Sequence, residues 1–374
     1  ITVEIISHFC YNNNNTNMSK VHNFSAGPCI LPNEVFQKSA ESILNFNNSG
    51  LSLIEISHRS KDFVEVMEEA RKLVKEILEV PETHDVLFLQ GGASLGFLMS
   101  AYNLMGTHKT GGYLVTGAWS KKAAKEASFM GNSLIVGSSE DKNFNYIPKD
   151  YEMGDNMDYF HVTSNNTIFG TQIKDFYKGN IPLACDMSSD IFSRKIDVKN
   201  FDLIYAGAQK NMGPAGTTLY IFNKDILGKS SVPIPTMLDL KTHSDKDSMF
   251  NTPPVFAIYA SMLTLKWLQN NGGLDSIEKQ NEKKADLIYN QIDNSSIFKG
   301  TANLEDRSIM NVTFTLENDD LNETFNTMLS DAKINGLKGH RSVGGFRASM
   351  YNAMPIESVQ VLVDVMKELE TKKG

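Results

Sequence analysis

Lys210 sits in YAGAQKNMGPAG (205–216), a run of small residues that continues an apolar, β-prone stretch, FDLIYAG (201–207). Ala206, Gly207, Ala208, Gly213, Ala215 and Gly216 give this lysine little bulk to shield or hydrate it. Two readings fit. One is a solvated turn lysine. The other is a partly desolvated amine whose pKa falls until it acts as a nucleophile and forms Schiff bases. Ligands of α/β sheets bind beyond strand C-termini, which is where Lys210 falls. Asp186 ends another apolar run, IPLACD (181–186). It either caps the segment after it or holds a fixed carboxylate at a neighbouring strand end.

Such a lysine–aspartate pair meets two needs of pyridoxal 5'-phosphate, an amine for its aldehyde and a carboxylate that keeps its ring nitrogen protonated. A phosphate cradle and a stacking ring are the other two. QGGASLG (90–96) places Gly91, Gly92, Ala93 and Ser94 where a strand turns into a helix. Helix N-terminal N–H groups favour a phosphate dianion, although tight βα turns are glycine-rich for steric reasons as well. Ala93 replaces the second glycine of G-x-G-x-x-G, so this is not a dinucleotide fingerprint. Asn223 stands where a P-loop ending in Gly228-Lys229-Ser230 needs its first glycine. Trp119 follows the turn Gly117-Ala118 and is either a core residue or a ring to stack on. His58-Arg59 and His340-Arg341, with Arg347 nearby, suit carboxylate or phosphate recognition. No HExxH, CxxC or carboxylate cluster is present, so no metal site is expected.

The elements that must position these residues follow from periodicity. Helical spacing covers 32–46 and 60–80, with Phe63, Val66, Met67, Ala70, Leu73, Val74 and Ile77 on one face. Short apolar runs then alternate with helices: strands at 85–90, 111–117, 133–138, 159–165, 181–190 and 201–207, with 217–223 returning antiparallel. Buried strands alternating with helices predict an α/β fold, a mostly parallel sheet covered on both faces. After Asn270-Asn271-Gly272-Gly273 the pattern becomes α+β: helices at 275–292, 322–332 and 356–369, and strands at 310–316 and 345–351.

The 374 residues suffice for two domains, with 41% hydrophobic and 21% charged side chains. The net charge of −8 argues against a nucleic-acid-binding surface. No apolar run is long enough to span a bilayer, so no membrane partner is expected. Three scattered cysteines suggest a reducing, cytoplasmic setting. Residues 1–17, with an asparagine tract, read as a disordered extension or an artefact of the chain's start.

From about Val21 onward the chain resembles the phosphoserine aminotransferases, class V aminotransferases of pyridoxal-phosphate fold type I. The motifs that carry the likeness are NFSAGP (23–28), SHRS (57–60), QGGAS (90–94), GAW (117–119), NNTIFGT (165–171), CDMSSDIFSR (185–194), YAGAQKNMGPAG, MFNTPP (249–254) and KGHRSVGGFRASMYNAMP (338–355). The resemblance implies a large domain with a mostly parallel seven-stranded sheet (33–270) and a smaller α+β domain (18–32 and 271–374). It implies Lys210 as the Schiff-base lysine, Asp186 as partner of the pyridine nitrogen and Trp119 as the stacking ring. Ala93, Ser94 and Gln209 are expected around the cofactor phosphate, with Thr167 on the phenolic oxygen. Asn251 and Thr252 are expected to reach the cofactor of a neighbouring subunit, hence a homodimer with shared active sites. His58, Arg59, His340, Arg341 and Arg347 are expected to bind substrate, Arg347 through the α-carboxylate. The implied reaction is reversible transamination of 3-phosphohydroxypyruvate with L-glutamate, giving O-phospho-L-serine and 2-oxoglutarate. A second substrate, 4-phosphohydroxythreonine, stays open, and the alternative is a fold relative such as an alanine–glyoxylate aminotransferase. Some members carry an arginine where this chain has Ser94.

Overall fold

The computed structural model describes residues 21–341 and 343–373. The extension assigned to 1–17 lies outside the described residues. The chain opens with a two-residue strand, β1 (His22–Asn23), and two helices, α1 (Asn33–Leu44) and α2 (Lys61–Ile77). Seven strands then form one sheet: β2 (His84–Leu89), β3 (Thr110–Val115), β4 (Asn132–Ser138), β5 (Tyr159–Thr163), β8 (Leu183–Asp186), β9 (Leu203–Gly207) and β10 (Thr218–Asn223). Their order is β2-β10-β9-β8-β5-β3-β4. Neighbours are parallel throughout except that β10 runs antiparallel to both β9 and β2. The immediate return predicted for 217–223 is therefore present.

The alternation of side chains explains the layers. Phe160, Val162, Cys185, Ile204 and Ala206 point to the face covered by α1, α2 and the later α6 (Val255–Asn270). Tyr159, Ala184, Leu203 and Tyr205 point to the opposite face, covered by α3 (Gly92–Leu104) and α4 (Ala118–Ala127). Every residue of β5, β8 and β9 is buried, as a sheet covered twice requires. A short hairpin, β6 (Asn165–Asn166) with β7 (Thr171–Gln172), follows β5, and a five-residue helix, α5 (Leu240–Ser244), precedes α6.

The strand read as 181–190 stops at Asp186. The backbone N–H and the hydroxyl of Ser188 both donate to Asp186 Oδ1, at 2.9 and 2.6 Å, and that local turn competes with a continued ladder.

A separate core surrounds α7 (Gly273–Asp293), β11 (Phe298–Gly300), β12 (Asn311–Leu316), α8 (Leu321–Asp331), β13 (Ile334–Asn335), β14 (Phe346–Ser349) and α9 (Ile356–Lys373). Its antiparallel sheet has the order β11-β12-β14. Strand β11 escaped sequence reading because three residues are too few for a period. Phe24 belongs to this second core, and β1 pairs with β13, so the start of the described chain is built into its far end.

Candidate active site

The C-terminal ends of β5, β8 and β9 open onto a cavity of about 350 Å³. Ala93, Ser94, Trp119, Thr167, Asp186, Gln209, Lys210, His340 and Arg347 all line it. Asp186 ends β8 and is 5% exposed. Its Oδ1 takes both Ser188 bonds, and Ser188 Oγ in turn accepts from Gly207 N at 3.1 Å. Oδ2 takes neither Ser188 bond.

Lys210 lies in the turn after β9, where the N–H groups of Lys210, Met212 and Gly213 all converge on Ala208 O. The thiol of Cys29 donates to Lys210 O at 2.6 Å. Burial drives the Lys210 amine below its usual pKa, and the positive charge of Arg347 adds to this, while Asp186 opposes it. Burial likewise raises the Asp186 carboxyl, which Ser188 and Lys210 pull back.

The small residues around Lys210 serve packing more than room. Ala206 and Ala208 belong to the core, and a Cβ at Gly213 would stand 2.4 Å from Ser261 Oγ of α6. Space beside Lys210 comes instead from Gly27, where a Cβ would stand 3.2 Å from Lys210 Cγ.

Trp119 is held by Nε1 donating to Thr167 Oγ1 at 3.1 Å, and Lys210 Nζ lies 5.9 Å from its ring centroid. Close approach makes Gly117 necessary: a Cβ there would meet Asn166 Oδ1 at 2.7 Å. Ser120 Oγ accepts from Gly117 N and starts α4 with Trp119 in its first turn. The first turn of α3 presents Gly92, Ala93 and Ser94 to the cavity and contains no acidic side chain, so its dipole is unopposed. Arg347 donates to Thr167 O at 3.3 Å. Burial and the charges of Arg347, Arg341 and Lys122 hold His340 below the usual imidazole pKa.

The profile of the family described as Aminotransferase class-V matches residues 21–362. The chain belongs to that family. A phosphoserine aminotransferase of Flavobacterium psychrophilum is 62% identical over 354 residues, covering 94% of this chain and 99% of that one. The solved phosphoserine aminotransferase from Bacillus circulans subsp. alkalophilus has a TM-score of 0.92 at 42% identity, covering 95% of this chain and 99% of that chain. A PLP-bound phosphoserine aminotransferase from Trichomonas vaginalis has a TM-score of 0.88 at 39% identity, covering 93% of this chain and 100% of that chain.

Not every residue expected in the aminotransferase site lines its cavity. Asn251 and Thr252 border a second, mostly apolar cavity of about 250 Å³, with Met237, Pro253 and Pro254. Their link to the site is Gln90, just before α3: it donates to Thr252 O at 3.1 Å and accepts from Asn251 Nδ2 at 3.3 Å. His58 and Arg59 sit in the turn before α2, and Arg59 and Arg341 are exposed. Residues the sequence reading missed include Thr163, Asn165, Ser188 and Ser189, all on the cavity wall. Thr163 stands directly opposite Asp186 in the sheet register, a relation between distant segments that no local motif encodes.

Proposed function

We propose that this aminotransferase exchanges the amino group of L-glutamate with 3-phosphohydroxypyruvate, giving O-phospho-L-serine and 2-oxoglutarate, the reaction for which its relatives are named. The observation that carries the reading is the pairing of a desolvated Lys210 with a buried Asp186 in one cavity beside Trp119.

Pyridoxal 5'-phosphate fits the residues present. Thr163 Oγ1 and Arg347 Nε are buried at the cavity without a protein partner. Such atoms cost free energy unless a ligand engages them. Thr167 Oγ1 accepts from Trp119, which leaves its own proton to donate. Lys210 would hold the cofactor covalently, Asp186 its ring N–H, Trp119 its face, and the α3 N-terminus with Gln209 its phosphate. When bound, the cofactor supplies a sink for the electrons of the substrate Cα–H bond.

The chain's own residues do the rest. Asp186 stays ionised once a cationic ring faces it, because an opposite charge outweighs the burial penalty. Lys210 Nζ, lowered in pKa, would take the Cα proton and deliver it to the cofactor's former aldehyde carbon, on the far side of the shared nitrogen. Arg347 holds the α-carboxylate through charge-assisted bonds and so aims Cα at Lys210. His340 and Arg341 serve the distal group, which is a carboxylate in one half-reaction and a phosphate in the other.

Asn251 and Thr252 do not line the Lys210 cavity of their own chain but border the second cavity, next to exposed Met237 and Phe250. This supports a homodimer in which each chain completes its neighbour's phosphate site; His58 and Arg59 are read as substrate-binding. The same reading divides the chain into 33–270 and 18–32 plus 271–374, and places it in the cytoplasm.

A cysteine-based desulfurase is disfavoured, since among the described residues Cys185 is fully buried in β8 and the Cys29 thiol is tied to Lys210 O. The deciding experiment follows amino transfer from O-phosphoserine or alanine to 2-oxoglutarate. Turnover with phosphoserine, absent with alanine and in Lys210→Ala, is expected; a preference for alanine refutes the proposal.

A further inference from the structure

Strand β14 has two faces, and they belong to different parts of the molecule. Phe346, Ala348 and Met350 enter the second core. Arg347, Ser349 and Tyr351 alternate with them and lie on the other face. Arg347 reaches Thr167 O, Ser349 Oγ accepts from Asn311 Nδ2 at 2.9 Å, and Tyr351 OH donates to Ala26 O at 2.8 Å.

Carboxamides fasten this segment at two points on the C-terminal side of Arg347. At the first, Asn165 Nδ2 donates to Asn311 Oδ1 at 2.8 Å, and Asn311 passes the link to Ser349. At the second, Asn211 Oδ1 accepts from Asn352 N at 3.0 Å, while Asn211 Nδ2 donates to Ser189 O at 3.3 Å. Asn352 is itself clamped, donating to Phe192 O at 2.8 Å and accepting from Asn281 Nδ2 at 2.9 Å. Asn165, Asn211, Asn311 and Asn352 are all at most 5% exposed. Buried, satisfied networks of this kind specify one arrangement, since any shift leaves a polar group unpaired.

We propose that Asn211 is a positioning residue, which ties the Lys210 turn to the strand end that carries Arg347. It adjoins Lys210 in the chain and holds Asn352, five residues beyond Arg347. The bond therefore sets the separation between the amine that carries the proton and the guanidinium that receives the α-carboxylate. This rests on the assignment of Arg347 given above. Because every substrate of the reaction has an α-carboxylate, the effect of losing Asn211 falls on all of them alike. A residue serving the distal phosphate would favour one half-reaction.

The test uses the full cofactor-loaded protein and five forms: wild type, Asn211→Ala, Asn211→Ser, Arg347→Lys and the double variant Asn211→Ala/Arg347→Lys. Single-turnover rates and half-saturation are read by absorbance with glutamate and, separately, with phosphoserine, and thermal midpoints are recorded. Displacing reacting groups by about 1 Å costs up to ~100-fold. Asn211→Ala is expected to lower kcat/KM at least tenfold for both substrates by the same factor. In the Arg347→Lys background the further loss is expected to shrink below threefold, because there is no guanidinium left to misplace. Asn211→Ser, which keeps a hydroxyl acceptor, is expected to regain part of the rate. Equal losses in both backgrounds, or loss with one substrate only, overturn the proposal. If Asn211→Ala does not fold, Asn211→Ser in the same cycle decides it on the same criteria. A wild type that reacts with glutamate but not phosphoserine refutes the assigned substrate while leaving this cycle readable.

Discussion

Asp186 and Lys210 face one cavity, and each draws the other back towards its charged form. Burial alone would neutralise both. Their mutual attraction keeps a carboxylate and a titratable amine together out of bulk water, which is the condition proton transfer at carbon needs.

Replacing Lys210 by alanine is expected to lower the single-turnover rate by at least ~10²–10⁴-fold, the range general acid–base groups contribute. Replacing Asp186 by asparagine has a second consequence. The carboxylate stabilises the Lys210 ammonium, so its loss moves the amine's pKa down. The pH midpoint for covalent cofactor attachment, followed by absorbance, is expected to shift to lower pH. An unmoved or raised midpoint would show that the two groups are not coupled.

Gly27 has φ +126°, a backbone region that L side chains rarely adopt, and a Cβ there would also stand 3.3 Å from Gln209 O. Gly27→Ala is expected to cost ~1–3 kcal/mol of stability and to weaken cofactor retention, because the added methyl presses on Lys210. Dialysis followed by absorbance measures the retained fraction. Full retention would show that the Lys210 side chain has room to spare.

The parts legible in the sequence were those with a local signature. Apolar runs bounded by glycines gave the strands, and Lys210 and Asp186 stood out because they end such runs. Cys29 was passed over, since nothing in its type or spacing shows that it will reach Lys210 O. Thr163 and Ser188 were silent for the same reason: their roles arise from strand register and from a turn closed on Asp186. The small shell of Lys210 was legible as a feature but its packing role was not, because α6 lying over Gly213 is a tertiary fact.

Lys284 is 1% exposed and donates to Met350 O and Tyr351 O at 3.2 and 2.9 Å. Burial lowers its pKa from 10.5 to about 7. Between those values the unfolded chain binds a proton that the folded chain does not. Stability relative to Lys284→Met is therefore expected to rise with pH across that window, by about 1.4 kcal/mol per unit. Urea unfolding of both proteins at several pH values gives the slope. A flat difference would mean that the amine stays charged in the fold.

Subunit exchange addresses the dimer. Lys210→Ala and the double variant Asn251→Ala/Thr252→Ala are each expected to be impaired. Mixed after gentle dissociation, they are expected to regain activity, since one hybrid site then has an intact lysine and an intact neighbouring loop. Sedimentation as a monomer, or no recovery on mixing, would show that each chain works alone.

The opening segment binds across great sequence distance. Ala26 O accepts from Tyr351 OH, 325 residues later, and His22 and Asn23 pair with Ile334 and Asn335. Residues made early in synthesis must therefore wait, unplaced, until almost the whole polypeptide has emerged. Gly27 and Cys29 wait with them, so the pocket around the reactive lysine closes only when the last strand arrives. A ribosome stalled before that point would release a sheet with an open wound where its chemistry belongs.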